Sequence, residues 1–267
     1  MPYVQVKGIK LFYEDFGEGT PILFVHGWTS SSWIWFNQVE YFKKNYRVVT
    51  LDLKGHGNSE KPKAEYLMTE FAAELDEFAS KILQEEKFIL VGLSMGGMIV
   101  LTYASTLRFS SRLKALVPCG TSYKIENPAL SQMVEQLKQG IIQFNRPMRE
   151  MLTKLAHDTQ FARKNKGIIQ KELEEALKCP DYVAIACMDA FVNHYNVEKD
   201  LHNISVPTLF LAGDKDEMID PVSSDKMCSL IPNATMKLIE PKVGHCLQLE
   251  HPLEFNKFLE EFIESVV

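Results

Sequence analysis

Phe88-Ile89-Leu90-Val91-Gly92-Leu93-Ser94-Met95-Gly96 joins four apolar residues to a Gly-x-Ser-x-Gly pentapeptide, and the run Met98-Ile99-Val100-Leu101 follows directly. This order predicts a strand, a sharp turn and a helix, with Ser94 at the apex. A turn that tight strains the serine backbone, and its flanking positions must be nearly free of side chain, which glycine supplies. Such strain costs on the order of 1–3 kcal/mol and persists where it serves a function. The pentapeptide alone arises by chance in roughly one chain in ten of this length, so its surroundings decide.

Further apolar runs, 22–25, 48–51, 113–117, 208–212 and 236–239, are separated by helix-like segments. Continuous rather than alternating apolarity suits strands buried on both faces of a mainly parallel sheet. Residues 3–7 and 10–16 read as an antiparallel hairpin leading into it. Phe71, Leu75, Phe78 and Ile82 fall at helical spacing, with Glu70, Glu74, Glu77, Lys81 and Glu85 expected on the surface; Leu253 to Val267 has a similar pattern. The fold class is therefore α/β, with helices on both faces of a mostly parallel sheet.

Between residues 121 and 201 the alternation stops and only helical periodicity remains, after the sixth expected strand. Asn127-Pro128, Arg146-Pro147 and Cys179-Pro180 punctuate it into three or four helices. The expected organisation is a core of 1–120 and 202–267 carrying a helical cap, or lid, of 121–201. Open α/β sheets place their sites at the strand ends such a cap would cover; the alternative is a helical subdomain with no gating role.

The 267 residues carry a formal net charge of -6, with 46% hydrophobic and 24% charged residues. That composition supports a sizeable core and offers no basic stripe, so nucleic acid is not an expected partner. The opening Met1-Pro2-Tyr3-Val4-Gln5-Val6-Lys7 lacks the pattern of a secretory signal, and no apolar run reaches the length of a membrane span. Cysteines 119, 179, 187, 228 and 246 are odd in number and lack C-x-x-C spacing, which argues against a disulfide framework or a zinc site. The expectation is a cytoplasmic monomer or homodimer without cofactor, metal or membrane partner. Cys246 reads as a buried, unreactive thiol.

A serine hydroxyl becomes a nucleophile when a base takes its proton, and an acid must hold that base in one tautomer. His245, in Lys242-Val243-Gly244-His245 just past the last strand-like run, is the candidate base. His251 sits beside Pro252 at a helix start, His157, His194 and His202 fall in the cap or its exit, and His26 reads as a structural loop pin. For the acid, Asp216 is preferred over Asp214, which stays in the turn after the strand, and over Asp220, which caps the next helix. Two backbone donors aimed at a developing oxyanion, worth about 2.7–4 kcal/mol each, are expected from the N–H groups of Met95 and Trp28. The Trp28 indole is also placed on the pocket wall, beside Met95.

With those parts in place, the chain resembles the α/β-hydrolase superfamily over essentially its whole length. The matching motifs are Val25-His26-Gly27-Trp28, the Ser94 segment, Asp52-Leu53-Lys54-Gly55-His56-Gly57-Asn58-Ser59, Gly213-x-x-Asp216, Gly244-His245 and Glu250-x-Pro252. Lys54 stands where the family usually has arginine. Ser, then Asp, then His is also the chain order of that family. The closest likeness in motifs is to carboxylesterases and cofactor-free haloperoxidases or perhydrolases. Haloalkane dehalogenases and epoxide hydrolases carry aspartate at the place of Ser94. Carbon–carbon bond hydrolases usually show Gly-Pro-Gly after the His-Gly, where this chain has Trp28-Thr29-Ser30-Ser31-Ser32.

The resemblance implies a serine hydrolase acting on a small-molecule carboxylic ester through Ser94, His245 and Asp216. A carbon–carbon bond hydrolase, a lactonase, or a small-molecule receptor that keeps the triad are the alternatives. The apolar, charge-balanced cap, with Phe144, Phe161, Tyr182, Phe191 and Tyr195, predicts uncharged and partly apolar substrates, provided Arg146, Arg149 and Arg163 do not point inward. Met95, Met98, Met133, Met148, Met151 and Met188 are candidates for a plastic acyl pocket or for filling gaps in the core.

Overall fold

The computed structural model describes residues 3–84, 86–106 and 111–266. Eight strands form one sheet: β1 (Tyr3–Val6), β2 (Ile9–Phe16), β3 (Pro21–Val25), β4 (Arg47–Leu51), β5 (Phe88–Leu93), β6 (Leu113–Cys119), β7 (Thr208–Gly213) and β8 (Ala234–Ile239). Their spatial order is β1-β2-β4-β3-β5-β6-β7-β8. β1 and β2 pair antiparallel, β2 joins β4 antiparallel, and the remaining neighbours are parallel.

Strands β3, β5 and β7 are buried at every residue, as their unbroken apolar runs require. β8 departs from that expectation. It closes the sheet edge, so only one side has a neighbour, and Leu238 stays 38% exposed. Two cores flank the sheet. On one side, α2 (Met68–Ile82), α3 (Met95–Ser105) and α9 (Val222–Leu230) contribute Leu75, Phe78, Ile99 and Met227; on the other, α1 (Phe36–Phe42), α10 (Leu247–Glu250) and α11 (Pro252–Val266) contribute Phe42, Leu247, Phe255 and Leu259.

The amphipathic reading of α2 needs one correction. Phe71, Leu75 and Phe78 face the core, but Glu74 is buried with them and pairs with the buried Lys54 at 2.6 Å. Lys54 Nζ also donates to the Glu65 carbonyl and lies over the Tyr66 and Phe71 rings. Removing two charges from water is tolerable only when each has such partners. Glu85 and the final Val267 lie outside the described residues, as do Met1 and Pro2 of the opening stretch.

Between β6 and β7 lie five α-helices rather than three or four, α4 (Pro128–Lys138), α5 (Arg146–Leu155), α6 (Thr159–Lys164), α7 (Lys166–Ala176) and α8 (Asp181–Asn193), followed by a short 3-10 helix, Glu198–Asn203. Asn127 and Asn145 cap α4 and α5 through their side chains, each ahead of a proline in the first turn, and Pro180 precedes α8. Two of the breaks have no proline to announce them: one at Asp158, whose side chain caps α6, and one at Asn165, where α6 ends and α7 begins. Among the described residues, no helix is long and apolar enough to cross a membrane.

Candidate active site

Ser94 sits between β5 and α3 with φ 56° and ψ -120°, in the left-handed region that L-residues avoid. The turn is held on three sides: Ser94 N–H donates to the Cys119 carbonyl, and the Ser94 carbonyl accepts from Met98 N and Thr121 Oγ1. Its glycines are required by space. A Cβ at Gly96 would meet the His26 and Val25 carbonyl oxygens at 2.5 Å, and one at Gly92 would meet the Gly96 carbonyl oxygen at 2.5 Å. Gly27 likewise lets the loop after β3 come within van der Waals contact of Ser94.

The loop after β8 presents His245, and the loop after β7 presents Asp216. His245 Nδ1 lies 2.7 Å from Asp216 Oδ2, with both side chains buried. A carboxylate only accepts, so Nδ1 carries the hydrogen, and in the neutral ring Nε2 is then the acceptor. Asp216 Oδ1 accepts from Met218 N and Ile219 N, both at 2.9 Å, which fixes the carboxylate plane. The two rival aspartates have other partners. Asp214 accepts from Val243 N at 2.7 Å, and Asp220 accepts from Val222 N at the start of α9.

The loop bearing Trp28 is pinned by His26, which is fully buried. Its Nδ1–H donates to the Gly27 carbonyl at 2.7 Å and its Nε2 accepts from Leu53 N at 3.0 Å. Burial holds the His26 imidazole down to about 4, so it is neutral. The Gly27 carbonyl also accepts from Ser30 N. Because N–H and C=O point oppositely across a trans peptide, the Trp28 N–H is turned away from that cluster. Neighbouring His56 donates from Nδ1 to the Lys54 carbonyl and is held down to about 3 by burial and by His26. Asp52 joins the same loops by accepting from Ser32 N and Asn58 N.

Two chambers meet at Ser94 and His245, and Trp28, Leu152 and Met218 are shared by both. The apolar chamber, about 120 Å³, is walled by Met95, Met98, Met133, Met188, Ile125 and Phe191. The second, about 80 Å³, is more polar and includes Thr29, Ser30, Arg149, Thr153, Glu172 and Cys246. Met151, by contrast, is 57% exposed and lines neither, while Met218 lines both without having stood out in the sequence. Phe144 and Phe191 reach the chambers and pack on the Trp28 ring. Tyr182 is surface-exposed with its hydroxyl on the Lys61 carbonyl, and Tyr195 is a core residue.

Of the three arginines, Arg149 alone reaches a chamber wall. Its guanidinium is committed to the Ala176 and Cys179 carbonyls and to Asp181, and it stacks over Phe144. Arg146 pairs with Glu150 at the surface, and Arg163 lines a separate outer groove.

Behind His245, a buried polar cluster escaped sequence reading. His157 Nε2 lies 2.6 Å from Glu172 Oε2, the Cys246 thiol donates to Glu172 Oε1 at 3.5 Å, and Glu250 accepts from Gly244 N and Asp158 N. Cys246 N also donates to the Ala156 carbonyl. The 156–158 turn is thereby fastened to the loop that carries His245. Burial pushes the Cys246 thiol up to about 12, as suits an unreactive cysteine.

The chain belongs to the α/β hydrolase fold family, whose model matches residues 20–166 and 143–252. Among particular relatives, it is 28% identical over 284 residues to a non-heme chloroperoxidase of Kitasatospora aureofaciens, covering 99% of this chain and 100% of that one. Solved structures agree. A thermophilic esterase from Thermogutta terrifontis superposes with a TM-score of 0.89 at 25% identity, covering 99% and 98% of the two chains. A bromoperoxidase from Bacillus anthracis gives 0.87 at 28% identity, covering 96% of each.

Proposed function

We propose that this chain is a serine esterase that cleaves carboxylic esters of small, uncharged, partly apolar substrates through an acyl-enzyme. The observation that carries the reading is the 2.7 Å bond from His245 Nδ1 to the doubly anchored Asp216 carboxylate, beside chambers that His245 shares with Ser94. In this scheme His245 Nε2 takes the Ser94 hydroxyl proton as Oγ attacks the ester carbonyl. The Trp28 and Met95 N–H groups receive the developing oxyanion, which Met95 does from the first turn of α3. Collapse of the tetrahedral adduct releases the alcohol with the proton held on His245. Water, deprotonated by the same imidazole, then frees the acid and restores Ser94.

The methionine-walled chamber suits an apolar acyl group that can vary in shape. A free carboxylate would lack a partner there, since none of the residues lining it is a lysine or arginine, and in the adjoining polar chamber the guanidinium of Arg149 is already committed. The 121–201 segment acts as the lid of a core formed by 1–120 and 202–267. It supplies Met133, Phe144, Leu152, Met188 and Phe191 to the chamber walls.

Ser94→Ala should lower hydrolysis of short to medium p-nitrophenyl esters by at least about 10⁴-fold without changing the fold. A serine-directed phosphonate should label Ser94 alone. Retained turnover in the variant, or labelling elsewhere, overturns the assignment. Running lactones in parallel, and hydrogen peroxide as acyl acceptor because relatives carry haloperoxidase names, resolves which acyl donor and acceptor the site prefers.

A further inference from the structure

We propose that His157, Glu172 and Cys246 form a binding site for a thiophilic divalent cation of the zinc class, opening onto the polar chamber beside Ser94. The three residues come from separate parts of the chain: the turn after α5, the middle of α7 and the loop after β8. Their ligand atoms nevertheless lie within 4.8 Å of one another. An imidazole, a carboxylate and a thiolate are donors that zinc takes together, leaving a fourth position for water.

Three further observations separate this cluster from an ordinary buried ion pair. First, a carboxylate faces the far ring nitrogen of His157, close enough to take its hydrogen after a small turn of the ring. His157 Nδ1 faces Glu250 Oε1 at 3.3 Å, and neither atom has a hydrogen-bond partner. Metal-bound imidazoles characteristically turn their other N–H to a carboxylate in this way. Glu250 Oε2 is held by Gly244 N and Asp158 N, so the carboxylate cannot swing off. Second, an ion has a way in, because Glu172 and Cys246 both line the polar chamber while the His157 side chain is fully buried behind them. Third, loading leaves the buried charge unchanged. A dication enters as two protons leave: the Cys246 thiol proton and the proton lying between His157 Nε2 and Glu172 Oε2. Coordination itself removes the thiol proton, even from a buried cysteine.

The adjustment needed is small. Zinc–ligand bonds of about 2.0–2.3 Å in a tetrahedron put ligand atoms roughly 3.3–3.8 Å apart. The present distances are 2.6 Å from His157 Nε2 to Glu172 Oε2 and 3.5 Å from Cys246 Sγ to the other oxygen, Oε1. With one atom from each residue the three ligands lie within 4.8 Å, so closing on an ion takes shifts of up to about 1 Å. No local sequence spacing announces such a site, which is why cysteine spacing pointed away from zinc.

The test uses the whole chain, chelator-treated and then titrated with Cd²⁺ or Zn²⁺ alone. Cadmium should raise an ultraviolet thiolate-to-metal charge-transfer band that saturates at one equivalent with release of about two protons per ion, and zinc should compete the band away with no further proton release. Cys246→Ser should abolish the band. Glu250→Gln should keep the band and weaken binding by about 10–100-fold. The proposal is overturned if the wild-type chain gives no band or saturates well below one equivalent, neither of which depends on a variant folding. It is equally overturned if the band survives in Cys246→Ser and disappears in Cys228→Ser, the half-buried cysteine elsewhere on the molecule.

Discussion

Asp214 and Asp216 leave the same strand two residues apart and hold different partners. Asp216 reaches the His245 ring, whereas Asp214 accepts from Val243 N and so holds the backbone that carries His245. Asp216→Asn should therefore lower turnover by about 10⁴-fold, because an amide favours the wrong imidazole tautomer. Asp214→Asn keeps an acceptor oxygen for Val243 and should lose far less, with the deficit appearing as lowered thermal stability. Steady-state rates and melting curves of the two variants check this, and a larger rate loss in Asp214→Asn contradicts it. Much at this scale was legible, because strand, turn and helix order places Ser94, Asp216 and His245 on loops at one sheet edge. Residues that matter through space were not. Glu172 stands in unremarkable helical sequence and His157 in the short turn between two helices, and Met218 reaches both chambers because Asp216 folds the following turn back on itself.

At the scale of elements, the loops after β3 and β4 are tied together by two buried neutral histidines whose rings lie 5.3 Å apart. His26 is held at about 4 and His56 at about 3, against 6.5 for the exposed ring. The unfolded chain takes up protons as pH falls through 6.5, while the folded chain does not until those lower values. Their contribution is thus complete above pH 6.5 and lost on acidification toward 4 and then 3, with a slope of up to about 1.4 kcal/mol per pH unit per histidine. Urea midpoints should fall across that window, and His56→Asn, which keeps a donor for the Lys54 carbonyl, should make the fall shallower. An unchanged slope counts against the assignment. Helix α2 illustrates the limit of pattern reading. Its apolar spacing places the helix correctly, yet periodicity cannot tell that the glutamate between Phe71 and Phe78 turns inward to meet a lysine from a distant loop.

Across the whole molecule, the Lys54–Glu74 pair links the loop after β4 to α2 inside the larger core. Burial raises the Glu74 carboxyl, and Lys54 opposes that shift. Glu74→Gln leaves the Lys54 ammonium buried without its counter-charge and should cost about 3–5 kcal/mol. Replacing both residues, as Lys54→Met with Glu74→Leu, should recover most of that loss. Denaturant unfolding of the single and double variants measures it, and equal losses in the two remove the charge argument. The places of strands β3 to β8 along the chain, and the helical insertion after β6, are legible in the apolar runs, whereas the order of strands in the sheet, with β4 between β2 and β3, is not. The number of helices in the insertion is not legible either, since its breaks at Asp158 and Asn165 occur without a proline.

The indole of Trp28 donates to the Ala184 carbonyl in α8 at 2.9 Å while its ring packs between Phe144 and Phe191. The chain has three tryptophans; Trp35 is fully buried, and Trp33 stacks on Phe36 and lines neither chamber. Trp28 therefore makes the protein its own optical gauge. Any separation of α8 from the loop after β3 would wet this one indole, so the colour of its emission reports the contact between that loop and α8 with no dye attached.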